Sequence, residues 1–424
     1  MKSTLKALFL LGFTMLLLCC NTTKEDSEQT DTLVGEEAVR KYTLFLSIDG
    51  GGVKGIVPAT ILAQLEKDLG KPIYELFDVI GGTSTGGIIS IGLTTPKLPS
   101  STRATVPRTA AEIQQIYLQN CGEILYPNKY QTGPYYYAES GGSPSVGIEP
   151  FLQGLVGQSY TMKQAHDNMV NLPNSRVREV FTTCYIVNSN GGKHTSVTKG
   201  VDYGPYQFTW SKAINSSINE NYYVWEAARG TSAAPIFFPI ANVGGGKHKR
   251  SSADEKWVID GGVVTNNPVI TGLEFIRKRQ GTLDNVVAIS LGCGINPFNG
   301  GVGVTNQAVN YQPYGQKYGF WNSTNWIVED LYNLAEDDAG RGRLIELLMF
   351  ANQFTADSQL ENMIQTSAIK DGVRIQPMLP QNINQSFDCS VVGQLQQATI
   401  HYITQDSIGV AEYTKLKNLI HQYH

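Results

Sequence analysis

Leu44-Phe45-Leu46-Ser47-Ile48-Asp49-Gly50-Gly51-Gly52-Val53-Lys54-Gly55 opens the part of the chain that carries its fold. Leu44 to Ile48 is a short apolar run, the pattern of a strand buried on both faces. Asp49 and the glycines break it, and residues 57–69 then show helical spacing, with Ile61, Leu62 and Leu65 on one face. The arrangement repeats at once. Asp78-Val79-Ile80 reads as a second strand, Gly81-Gly82-Thr83-Ser84-Thr85-Gly86-Gly87 as a turn, and residues 88–93 as the start of a second helix. Strand, glycine turn and helix in succession predict an α/β fold with a mostly parallel sheet covered on both faces. If the two strands are neighbours, both glycine turns lie at the same sheet edge.

Outward from this core, residues 180–187, 237–243, 256–259 and 286–291 read as further strands. Helical patterns at residues 110–125, 224–228 and 270–278 fall between them. Residues 96–107 and 126–146, rich in Pro, Gly, Ser and Tyr, read as surface loops. One α/β domain is expected over residues 42–294. Residues 295–424 are expected to form a mostly helical C-terminal extension packed on it, with helices at 326–334, 344–349 and 408–421 and a strand at 374–379.

The N-terminus reads as a targeting signal. Lys2 and Lys6 precede an apolar run over residues 7–18, interrupted only by Gly12 and Thr14. That is the length of a signal-peptide core and short of the about 20 residues a spanning helix needs. Leu17-Leu18-Cys19-Cys20 resembles a bacterial lipoprotein cleavage site with Cys20 as the lipidated residue, although Cys19 stands where Gly, Ala or Ser is usual. An exported protein anchored at a membrane through Cys20 is expected, with simple secretion as the alternative. Residues 21–41, acidic and polar, read as a flexible tether.

Composition excludes some partners. Lys plus Arg number 33 against 37 Asp plus Glu, for a net charge of −4, which offers no footprint for nucleic acid. Cys121, Cys184, Cys293 and Cys389 lack the C-x-x-C spacing of a zinc or redox cluster. In an exported chain they could pair in any of three ways or remain buried thiols.

Three turns carry the chemistry. Gly82-Thr-Ser84-Thr-Gly86 is a G-x-S-x-G sequence between a strand and a helix, the setting of a nucleophile elbow; taken alone, Ser84 could equally cap the helix. Gly50, Gly52 and Gly55 form a G-x-G-x-x-G. As a dinucleotide fingerprint it would need an acidic residue at the end of the next strand, and Asp78 stands at that strand's beginning. As an oxyanion hole, the same loop offers consecutive amides free of side chains. The third turn is Trp257-Val-Ile-Asp260-Gly261-Gly262, a strand that ends in a carboxylate. No histidine occupies a comparable position. Tyr135, Tyr136 and Tyr137 are candidates for contact with a lipid interface or for core packing, and Lys247-His248-Lys249-Arg250 for contact with anionic head groups or for a solvated hairpin.

Together, Asp49-Gly-Gly-Gly-Val-Lys54-Gly55, Gly82-Thr-Ser84-Thr-Gly86 and Asp260-Gly261-Gly262 resemble the patatin-like phospholipases, as do residues 228–239 and 263–268. The resemblance implies a three-layer α/β/α sandwich and a lipid acyl hydrolase working without cofactor, metal or nucleotide. It further implies Ser84 as nucleophile, Asp260 as general base and the amides of Gly50, Gly51 and Gly52 as the oxyanion hole. A phospholipid or other acyl lipid is then the expected substrate and a membrane surface the expected partner. Lys54 departs from the arginine usual in the family. A low-turnover lipid-binding or storage protein of the same fold is the alternative.

Overall fold

The computed structural model describes residues 40–97, 105–129, 134–189, 203–245, 251–295, 343–380, 383 and 386–424. The targeting segment with Cys20, most of the tether, His194, the basic run 247–250 and the helix expected at 326–334 lie outside them. The elements that place the site are β1 (Thr43–Ile48), α1 (Ile56–Leu69), β2 (Val79–Thr83), α2 (Thr85–Gly92), α3 (Ala110–Ile124), β3 (Glu179–Ser189) and β4 (Gly204–Thr209). They continue with α4 (Val224–Thr231), β5 (Ala241–Val243), β6 (Lys256–Asp260), α5 (Val269–Gln280), β7 (Val286–Leu291), α6 (Arg343–Gln365), β8 (Asp371–Ile375), α7 (Val392–Thr404) and α8 (Ser407–Tyr423).

The strands form one eight-stranded sheet in the order β5-β6-β3-β2-β1-β7-β8, with β4 also on β3. The pairings β1–β2, β1–β7, β2–β3 and β7–β8 are parallel, and those of β3 with β4 and β6 and of β5 with β6 are antiparallel. Alternation of side chains sorts the core into two halves. Leu44, Leu46 and Ile48 of β1 face a cluster that includes α1, α2, α3, α7 and α8. Phe45 faces a second cluster, with Val269 and Leu273 of α5 and Leu360 of α6. Helices therefore cover both faces of a mixed, mostly parallel sheet, the expected three-layer arrangement.

Four strands differ from expectation: β2 runs on through Gly81 and Gly82 to Thr83, β4 was not expected, and two others have different bounds. The one expected at residues 237–243 is confined to Ala241–Val243. Proline at 235 and 239 and the positive φ of Ile236 (73°) interrupt the extended backbone before it. The strand expected at 374–379 runs instead from Asp371 to Ile375; Pro377, which has no N–H to donate, follows closely. Because β8 pairs with β7, the mostly helical C-terminal region also supplies an edge strand of the sheet.

Candidate active site

Ser84 follows the last residue of β2 and heads α2, in a backbone conformation (φ 53°, ψ −122°) that non-glycine residues seldom adopt. The surrounding glycines permit the turn. A Cβ at Gly82 would lie 2.1 Å from the Gly86 carbonyl oxygen, and one at Gly86 would lie 2.2 Å from that of Ile48. The Ser84 N–H donates to Thr231 Oγ1 at 2.9 Å. Its side chain is enclosed at the C-terminal edge of the sheet, where the β1 and β2 turns lie side by side through the pair Ile48 and Gly82.

Asp260 reaches Ser84 by an arrangement of strands rather than by sequence proximity. Along β3, β4 pairs with Phe181 to Ile186 and takes up one edge. On the other edge β2 pairs as far as Thr183, and β6, running the opposite way, begins at Cys184. The two strands thus point at each other and end opposite consecutive residues of β3. A Cβ at Gly261 would lie 2.2 Å from Thr183 Oγ1, so the turn after Asp260 packs tightly on β3.

Asp260 is 1% exposed. Its Oδ1 accepts the Gly262 N–H at 2.7 Å, while Oδ2 is buried without a hydrogen-bond partner. Burial pushes its carboxyl up to about 6, against the opposing influence of the Ser84 hydroxyl, the Gly262 N–H and the Arg229 guanidinium. A carboxylate so placed, with one oxygen held and the other open, can receive a proton near neutral pH.

The glycine loop after β1 sits over Ser84: a Cβ at Gly50 would lie 3.2 Å from the Ser84 Cβ. The Gly50 N–H is committed to the Asn266 carbonyl at 3.1 Å, which narrows the oxyanion donors expected here to Gly51 and Gly52. Gly52 has φ 59°, and Val53 donates to the Ser386 carbonyl at 2.8 Å. Gly55 packs against Thr85 Oγ1 and the Tyr117 hydroxyl. Lys54 is fully enclosed, with its N–H on the Gly51 carbonyl at 3.1 Å. Asp49, also enclosed, takes both of its oxygens to Arg374 of β8. Asn352 and Gln353 of α6 bond to Asn266. None of these C-terminal residues stood out in the sequence; Arg374 was visible only as part of a strand.

A narrow cavity extends from Ser84 and is lined by apolar side chains that include Val53, Ile88, Leu125, Leu155 and Phe238. Its free volume of about 50 Å³ is small beside the ~300 to 1,000 Å³ of a typical ligand pocket. Cys121 and Phe387 also line it, and Cys121 is joined to Cys389 by a disulfide, while Cys184 and Cys293 are buried thiols. Phe387 stacks on Phe237 with ring centroids 3.7 Å apart, and its carbonyl accepts the Tyr136 hydroxyl at 2.9 Å. Tyr135 and Tyr136 both pack on Phe237, so the tyrosine run serves packing at this wall. His166 pairs with Asp167 and His424 bonds the Glu75 carbonyl, each away from Ser84. Among the described residues, no group of three or more His, Cys, Asp or Glu could hold a metal ion.

A serine at a strained strand–helix turn, a buried aspartate and a glycine loop above them coincide with a match to the family model for patatin-like phospholipase over residues 46–113 and 174–272. The chain carries a patatin-like domain. The match takes in all three turns and leaves out α6, β8, α7 and α8. Patatin-like protein 2 of Arabidopsis thaliana is 26% identical over 304 residues, covering 67% of this chain and 65% of the relative. A cGAMP-activated phospholipase of Pseudomonas aeruginosa is 29% identical over 252 residues, 58% of this chain and 61% of that protein. The 85/88 kDa calcium-independent phospholipase A2 of Mus musculus is 25% identical over 276 residues, 61% of this chain and 28% of that protein. The chain thus spans less than two thirds of the length of these three relatives of the patatin-like domain.

Proposed function

We propose that the patatin-like domain is a lipid acyl hydrolase of phospholipase A or lysophospholipase type, in which Ser84 and Asp260 form a two-residue catalytic centre. The observation that carries the reading is the buried Asp260 carboxyl, close enough to the Ser84 hydroxyl to feel it, raised to about 6 and with its Oδ2 left without a hydrogen-bond partner. Ser84 Oγ attacks the ester carbonyl carbon as its proton passes to Asp260, and the N–H groups of Gly51 and Gly52 receive the oxyanion. The tetrahedral intermediate collapses, Asp260 returns the proton to the departing alcohol, and an acyl-serine remains. Water then attacks the acyl carbon with its proton taken by Asp260, the Ser84 oxygen leaves and is reprotonated, and the fatty acid is released. The apolar cavity suits an acyl chain, which must widen it on entry.

The Gly50–Gly55 loop is braced by the chain itself, through Asn266 on Gly50 and Ser386 on Val53, which favours an oxyanion loop over a phosphate cradle. The Cys121–Cys389 disulfide supports export into an oxidising compartment, and export fits the signal-like N-terminus with its membrane anchor at Cys20. The relatives named as phospholipases support a lipid substrate. Labelling with a fluorophosphonate, together with product analysis on mixed phospholipids and neutral glycerides, tests the proposal. The native protein should label once and release fatty acid, and Ser84→Ala should do neither. Fatty-acid release retained by Ser84→Ala would refute it, and a native protein that binds lipid without labelling would favour the binding or storage reading.

A further inference from the structure

At the active-site end of the sheet, the face covered by α5 and α6 changes character. Its middle is apolar around Phe45, Phe181 and Ala288, yet the register places Ser47 of β1, Ser290 of β7 and Arg374 of β8 in one row across it. Arg374 donates from Nη1 and Nη2 to the two oxygens of Asp49, at 2.9 and 2.5 Å, and from Nη1 to Ser290 Oγ at 2.9 Å. Its Nε lies 3.0 Å from Asp357 of α6. Asp357 accepts from Asn267 Nδ2 at 2.7 Å, and the Ser47 and Ser290 hydroxyls both donate to Asn267 Oδ1 at 3.3 Å. One turn earlier on α6, Asn352 accepts the Asn266 N–H at 2.6 Å and donates to the Gly262 carbonyl at 2.9 Å. Asn266 Nδ2 in turn donates to Gln353 at 2.9 Å and to the Gly50 carbonyl at 3.3 Å.

The circuit therefore grips both turns that the reaction needs. Asp49 and Gly50 are the root of the oxyanion loop, and Gly262 lies two residues beyond Asp260. The grips on Asp49 and Gly262 come from Arg374 and Asn352, outside the match to the family model, while Asn266, inside it, holds Gly50 and is itself held by Asn352 and Gln353. We propose that Arg374 is a positioning residue for the reaction: its fork on Asp49, braced by Asp357 of α6, fixes the height of the Gly51 and Gly52 amides over Ser84. This rests on the reading of Ser84 and those amides given above. Asp49 is fully buried, so without the guanidinium its carboxylate must take up a proton or move toward water. Either change releases the loop that it roots. Arg374 touches no reacting atom, and lysine, a point charge without a planar fork, would hold one carboxylate oxygen rather than two.

The test uses the full-length protein as Arg374→Met, Arg374→Lys and the double variant Asp49→Asn/Arg374→Met. Thermal unfolding, kcat and KM on a short-chain aryl ester, and the rate of Ser84 labelling by a fluorophosphonate are measured for each. A displacement near 1 Å costs about 100-fold in rate, so Arg374→Met should lose about that factor in kcat and in labelling rate, with KM within about threefold. Arg374→Lys should recover only part of the rate. The double variant removes the unpaired charge and should regain thermal stability while its labelling stays slow, an outcome that a purely structural role would not give. If Arg374→Met does not fold, the other two variants decide. A folded Arg374→Lys or double variant that labels at the native rate overturns the positioning role, whereas a native protein that fails to label at Ser84 overturns the catalytic assignment beneath it.

Discussion

Replacing Asp260 with asparagine should stabilise the protein while removing its activity, and the gain should depend on pH in a defined direction. The carboxyl stands at about 6 in the folded protein against the 3.8 of an unperturbed aspartate. A gap of about two units at ~1.4 kcal/mol each corresponds to about 3 kcal/mol. Since the folded value is the raised one, the associated stability is fully present below about 3.8 and is lost as pH rises through about 6. Asparagine does not titrate. It keeps an oxygen to accept the Gly262 N–H and places an amide where Oδ2 now lacks a partner. Relative to the native protein, Asp260→Asn should therefore gain about 3 kcal/mol between pH 4 and pH 8, or about 4 °C in Tm for a chain of this length. Thermal unfolding of both proteins at half-unit steps across that range measures it. A Tm difference that stays flat with pH, or that turns against the variant as pH rises, would refute the claim that burial raises this carboxylate.

With Asp260 as the proposed general base, the same carboxylate should set the rate profile. A general base works only when deprotonated, so kcat/KM for the native protein should climb as pH rises and reach half its plateau near 6; a half-maximum near 4 would remove burial from the explanation. The disulfide joins residues separated by 268 positions, and in the chain-entropy view Cys389→Ser should cost about 2 to 5 kcal/mol. Urea unfolding compares the variant with the native protein, and an unchanged midpoint would show that the link contributes nothing to stability.

Much of the site was legible because its signals are local. An apolar run that ends in Asp-Gly-Gly-Gly, Gly-Gly-Thr-Ser or Asp-Gly-Gly announces a strand and a sharp turn wherever it occurs, since burial favours the first and only glycine admits the close approaches of the second. Strand edges were less legible where proline and an unusual backbone intervened, as before Ala241 and after Ile375. Cysteine pairing was not legible at all, because four cysteines leave three pairings open and only proximity in space selects Cys121 with Cys389.

The sequence by itself therefore determined that this chain builds a sheet with three glycine-rich turns, one carrying a serine, one a carboxylate and one a row of bare amides. Only the tertiary structure decided that they meet. Ser84 and Asp260 are brought together because β2 and β6 approach end to end along one edge of β3. From the C-terminal region, Arg374 holds the loop above them at Asp49, Gln353 bonds the Asn266 that holds Gly50, and Asn352 holds the turn after Asp260. Periodicity reports which way a side chain faces within its own strand or helix, and it contains nothing about which strand lies opposite or which distant charge will balance a buried carboxylate. Those are properties of packing, fixed when the elements assemble.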